Sequence, residues 1–110
     1  MPGYLTTHVL DTALGCPAAG IEIALYRVSG NSHKKIATSV TNSDGRTDAP
    51  ILEGKAFKTG DYELIFFCGS YLEDTSFLSS IPIRFTMSQE DHYHVPLLLS
   101  PFGYSTYRGS

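Results

Sequence analysis

Long apolar runs are missing from this sequence: none of its 110 residues belongs to a stretch near the ~18 apolar residues of a membrane span. Positive charge is sparse too. Eight Lys and Arg stand against eleven Asp and Glu, for a net charge of -3, and without a Lys/Arg cluster a nucleic-acid partner is not expected. The opening Met1-Pro2-Gly3-Tyr4 has neither a basic nor an apolar segment, so no signal peptide is read there. Cysteine is limited to Cys16 and Cys68, which sit in no CxxC pattern and have no basic neighbour to activate them. Both are read as packing residues of a soluble cytoplasmic protein; a targeting signal removed ahead of Met1 would instead place the chain in the periplasm or peroxisome. No GxSxG elbow, P-loop or dinucleotide fingerprint is present.

What remains is a globular composition, 42% hydrophobic and 17% charged, sized for one domain over residues 1–110. Tyr4-Leu5-Thr6-Thr7-His8-Val9-Leu10-Asp11 alternates in the manner of a strand, with Leu5, Thr7 and Val9 on one face and Tyr4, Thr6, His8 and Leu10 on the other. Residues 21–28 and 36–40 read as two more strands. Asp44-Gly45 supplies the positive φ of a tight turn, and the loop up to Gly60 has room for one short edge strand. Tyr62-Glu63-Leu64-Ile65-Phe66-Phe67-Cys68 suits a central strand. Ile81, Ile83, Phe85 and Met87 face inward from another, with Pro82 marking its start or an edge. Between them, over 69–80, alternation disappears and one or two helical turns around 71–77 fit the pattern. Seven or eight short strands with frequent turns predict an all-β antiparallel sandwich.

The closing segment, His92-Tyr93-His94-Val95-Pro96 through Tyr107-Arg108-Gly109-Ser110, is dense in side chains that do chemistry. His92 and His94 project from one strand face; Pro101 and Gly103 mark a turn, and residues 104–108 can return as a partner strand. Read from residues alone, His8 and His94 fit ordinary strand histidines, His92 a solvated one after Glu90-Asp91, and Arg46 an ion pair with Asp44 or Asp48. Arg108 fits an edge charge. His92-x-His94 with His8 also has the makings of a three-imidazole zinc site, although no cysteine or carboxylate completes it.

Several stretches together resemble the transthyretin-like family of 5-hydroxyisourate hydrolases: Leu5-Thr6-Thr7-His8-Val9-Leu10-Asp11, Ser43-Asp44-Gly45-Arg46, Gly60-Asp61-Tyr62-Glu63-Leu64, His94-Val95-Pro96-Leu97-Leu98-Leu99-Ser100-Pro101 and the closing Tyr107-Arg108-Gly109-Ser110. The last tetrapeptide is the specific part. The resemblance implies a sandwich with one short helix after its fifth strand, although the segment between Cys68 and Ile81 is shorter than in many relatives. It implies a homotetramer, with neither metal nor cofactor, that opens 5-hydroxyisourate to 2-oxo-4-hydroxy-4-carboxy-5-ureidoimidazoline in urate catabolism. It assigns catalysis to His8, Arg46, His94 and Ser110, and substrate binding to His8, Arg46, Tyr107, Arg108 and Gly109. Histidine suits a hydrolytic base or acid because its pKa near 6.5 allows both protonation states, and the Arg46 fork matches paired oxygen and nitrogen atoms of a purine-like ring. Ser110 would bring a hydroxyl and a carboxylate. The rival expectations are a transthyretin-like carrier of a small ligand, without activity, and an Ig-like interaction module.

Overall fold

A computed structural model describes residues 3–109; the expectation placed on Ser110 lies outside them. Two sheets face each other. One has strand order β2-β1-β8-β9, with β5 also on β1; the other has the order β4-β3-β6-β7. The first is built from β1 (Tyr4–Asp11), β2 (Cys16–Pro17), β5 (Leu52–Glu53), β8 (His92–Ser100) and β9 (Gly103–Thr106). The second contains β3 (Glu22–Ser29), β4 (Ser32–Val40), β6 (Gly60–Phe67) and β7 (Ser80–Met87).

Alternation drives the sandwich. In β1, Leu5, Thr7, Val9 and Asp11 are buried and the residues between them are half-buried. Ile81, Ile83 and Met87 of β7 are likewise buried, while Phe85 packs partly exposed against the same core. Tyr62, Leu64 and Phe66 of β6 are fully enclosed, as a central strand flanked by β3 and β7 should be. Truncating one such side chain, Leu64→Ala for instance, costs about 2–5 kcal/mol.

Three expectations change. The sheets are not wholly antiparallel: β1 and β8 run parallel over their full length. The break at 69–80 holds turns and bends rather than a helix. There the Asp74 carboxylate accepts hydrogen bonds from the Ser76 amide and hydroxyl, a local alternative that competes with helical bonding. The one helix among the described residues is a short 3-10 segment, Gly54–Ala56. Finally, only Cys68 is a packing residue. Burial pushes its thiol up to about 11, whereas Cys16 is exposed; both are free. No helix among the described residues is long and apolar enough to cross a membrane.

Candidate functional site

The parallel pairing of β1 and β8 sets Tyr4 opposite His92, Thr6 opposite His94, and His8 opposite Pro96. Because side chains alternate, all of these occupy the face of the sheet turned away from the core. Tyr4 stacks on His92, with ring centroids 4.1 Å apart. The Thr6 hydroxyl lies 2.7 Å from His92 Nε2 and 2.8 Å from His94 Nδ1. His8 Nε2 donates to the Asp44 carbonyl at 2.9 Å, which leaves its Nδ1 as the nitrogen with a lone pair to offer.

Two isolated bridges add groups from elsewhere in the chain: Arg46 pairs with His8, and Gly109 with His94. Arg46 is presented by the Asp-Gly turn. Gly45 has φ 75°, and a Cβ there would collide with the Val9 carbonyl, so glycine is required on both counts. The Gly45 carbonyl accepts from the Val9 amide at 2.8 Å, and the Arg46 carbonyl accepts from the Asn42 amide at 2.7 Å. The predicted ion pair with Asp44 or Asp48 is not among the described contacts; Asp48 accepts instead from the Asn42 side chain. Gly109 is a glycine for a different reason. Its amide donates to the His94 carbonyl at 2.7 Å, and an added Cβ would sit 2.5 Å from His94 Cδ2.

Thr6, Arg46, Thr47, Asp48, His92 and His94 are among the residues lining a cleft of about 340 Å³. His94 is the most perturbed base in it. Burial lowers its pKa below the usual 6.5, and the electrostatic influence of Arg46, His92 and His8 pushes the same way. The imidazole is therefore held neutral, which is the form that can accept a proton.

The structure thus gathers His8, Arg46, His94 and Gly109 from distant segments. Tyr107 is 57% exposed. Arg108 turns to the start of β8: its guanidinium donates to Asp91 Oδ2 at 3.3 Å and to the His92 carbonyl at 3.1 Å, and lies 4.2 Å from the Tyr93 ring centroid. It anchors the tail there. For the zinc arrangement, no three His, Cys, Asp or Glu among the described residues converge as ligands. Two cleft residues escaped the sequence reading. His92 is half-buried and bonded rather than solvated, and Thr6 resembles any β-branched strand residue until β8 lies beside it.

Known proteins resemble this chain over nearly its whole length. The model of the HIUase/Transthyretin family matches residues 5–109. A 5-hydroxyisourate hydrolase of Mesorhizobium japonicum is 56% identical, covering 98% of this chain and 93% of its own. The 5-hydroxyisourate hydrolase 2 of Rhizobium meliloti is 58% identical, with 98% and 97% covered. Among solved structures, (S)-allantoin synthase superposes with a TM-score of 0.90 at 48% identity over 98% of this chain, which spans only 44% of that protein. The Klebsiella pneumoniae 5-hydroxyisourate hydrolase gives 0.83 at 34% identity, covering 98% of this chain and 99% of that one. Transthyretin from Sparus aurata gives 0.87 at 27%, with 96% and 95% covered. By sequence over nearly its whole length and by fold, the chain belongs to the HIUase/Transthyretin family.

Proposed function

We propose that this protein hydrolyses 5-hydroxyisourate, opening its six-membered ring to 2-oxo-4-hydroxy-4-carboxy-5-ureidoimidazoline. The observation that carries the reading is the set of isolated bridges that brings Arg46 to His8 and Gly109 to His94, together with hydrolase relatives that are more than half identical. In this reading His94, kept neutral by its surroundings, takes a proton from water as the oxygen adds to the ring carbonyl. Arg46 supplies a fixed positive charge to the oxygen on which negative charge develops, and its planar fork aligns the ring. The proton taken from water returns to the leaving nitrogen as the C–N bond breaks, so that His8 and His94 share the base and acid roles.

The tail forms one wall. Gly109 brings it against His94, Arg108 holds it to Asp91, and Tyr107 offers a ring and a phenol to the substrate. The carrier alternative needs no imidazole–guanidinium cleft. A homotetramer in the cytoplasm is the expected state, and Tyr107, 57% exposed, is available to a second subunit. Light scattering tests that assembly.

The activity test generates 5-hydroxyisourate with urate oxidase and follows its ultraviolet decay. Acceleration by the protein is expected, and an unchanged decay rejects the hydrolase reading. Residues fused after Ser110 are expected to depress the rate far more than residues fused before Met1; equal rates would count against a tail-built wall.

A further inference from the structure

Thr6 stands between two histidines of one strand. Its Oγ1 is 2.7 Å from His92 Nε2 and 2.8 Å from His94 Nδ1, because the parallel register places it directly across from His94 and two residues along the strand from the Tyr4–His92 pair, on the same face. A hydroxyl has one proton to give and lone pairs with which to receive. Between two neutral imidazoles it donates to one and accepts from the other, so the tautomers of the two rings are tied together. If Thr6 donates to His92 Nε2, then His94 carries its proton on Nδ1 and presents a bare Nε2 to the cleft. If it donates to His94 Nδ1, the Nε2 of His94 is protonated and cannot act as a base.

We propose that Thr6 is a positioning residue for the hydrolysis: its hydroxyl holds His94 with Nε2 bare and passes the proton released at His94 on to His92. The inference rests on the hydrolase reading above. As His94 Nε2 takes a proton from the attacking water, the Nδ1 proton of His94 moves to Thr6 Oγ1 and the hydroxyl's own proton moves to His92 Nε2. One N–H bond forms and one breaks at His94, the O–H of Thr6 is exchanged, and one N–H bond forms at His92. The oxygen of the deprotonated water bonds to the carbonyl carbon, and the positive charge rests on His92.

The surroundings favour that direction. Burial disfavours a cation at His94, and Arg46, His92 and His8, which face it, add to that effect. His92 lies against the face of Tyr4, 4.1 Å away and within 6° of parallel, a contact that favours a cationic ring. Asp91, whose carboxylate accepts from the His92 amide at 2.8 Å, supplies a negative charge beside it; Arg108, on the other oxygen of that carboxylate at 3.3 Å, offsets part of it. His92 thereby gains a function that its position in the sequence did not suggest.

Two variants and two readouts test this. Thr6→Val keeps the β-branched shape and removes the hydroxyl; Thr6→Ser restores the hydroxyl on a smaller side chain. In the 5-hydroxyisourate assay, Thr6→Val is expected to lose at least about tenfold in kcat with little change in KM, while Thr6→Ser stays within about threefold of the parent. In substrate-free protein, imidazole nitrogen resonances are expected to show His94 protonated on Nδ1, and that preference to disappear in Thr6→Val. A parent His94 protonated on Nε2, a Thr6→Val enzyme at full kcat, or a Thr6→Ser enzyme as slow as Thr6→Val would overturn the proposal. A parent protein that leaves the decay of 5-hydroxyisourate unchanged would instead sink the hydrolase reading, with the resonances still judging the tautomer.

Discussion

Each sheet carries a tyrosine stacked on a histidine, and the two pairs are nearly superimposable in geometry. Tyr4 and His92 lie 4.1 Å apart and 6° from parallel on the β1–β8 face; Tyr26 and His33 lie 4.2 Å apart and 3° from parallel on the β3–β4 face. Their partners differ. His33 Nε2 meets a carboxylate, Glu63 Oε1, at 2.7 Å, and the second oxygen of Glu63 meets Arg84 at 3.4 Å. That cluster closes on itself. His92 Nε2 meets a neutral hydroxyl that leads on to His94, beside a cleft with an arginine whose charge no carboxylate among the described residues neutralises. In the proposed reading the same ring pair is a surface feature in one sheet and part of the reactive face in the other, and the hydrogen-bond partner makes the difference.

The contrast can be broken at the arginines. Arg46→Ala is expected to lower kcat/KM for 5-hydroxyisourate by about 10²–10⁴-fold, and steady-state kinetics on Arg84→Ala should show a change within about twofold. Glycines give the next effect. Gly109→Ala forces a methyl group against the His94 ring, and displacing the tail by about 1 Å is expected to cost on the order of 10²-fold in rate. Gly69→Ala meets only the Ser79 hydroxyl, at 2.9 Å, a side-chain tip that can turn aside; its rate should match the parent.

A pH profile sharpens the comparison. Burial first, and then the charges of Arg46, His92 and His8, disfavour the imidazolium of His94. The base therefore stays unprotonated below its ordinary pKa, and the acidic limb of kcat/KM is expected below pH ~6.5. Arg46→Gln removes one of those charges and should move whatever limb remains upward; a limb that stays put would mean that His94 is not the titrating base. The smallest effect is at the closed cluster. Glu63→Gln should reduce stability by about 1 kcal/mol in thermal or denaturant unfolding, because His33 and Arg84 are exposed partners even though Glu63 itself is only 13% exposed, and leave the activity alone.

Much of this was legible in the residues, for local reasons. Period-two alternation is a property of a single strand, so β1, β6, β7 and the β8–β9 hairpin could be read directly. The Asp44-Gly45 turn follows from the need for positive φ, and the motif resemblance pointed to His8, Arg46 and His94. The rest depends on which strands become neighbours. Thr6 and His94 are 88 positions apart, and only the parallel register of β1 with β8 puts them in contact. Without that pairing, His92 after two acidic residues looks solvated, and Arg108 looks like a free edge charge rather than the clamp that holds the tail on Asp91. The segment at 69–80 misled for the opposite reason: loss of alternation resembles a helix, but the side chain of Asp74 bonds to Ser76 and stabilises a turn.

In the proposed reading the outer face of the β1–β8 sheet, and not that of its counterpart, carries the hydrolytic site. The most direct measurement is the decay of freshly generated 5-hydroxyisourate with no protein, with the parent, and with His94→Ala and His33→Ala side by side. The parent and His33→Ala should accelerate the decay equally while His94→Ala falls close to the protein-free rate. A His94→Ala protein as fast as the parent would contradict the account.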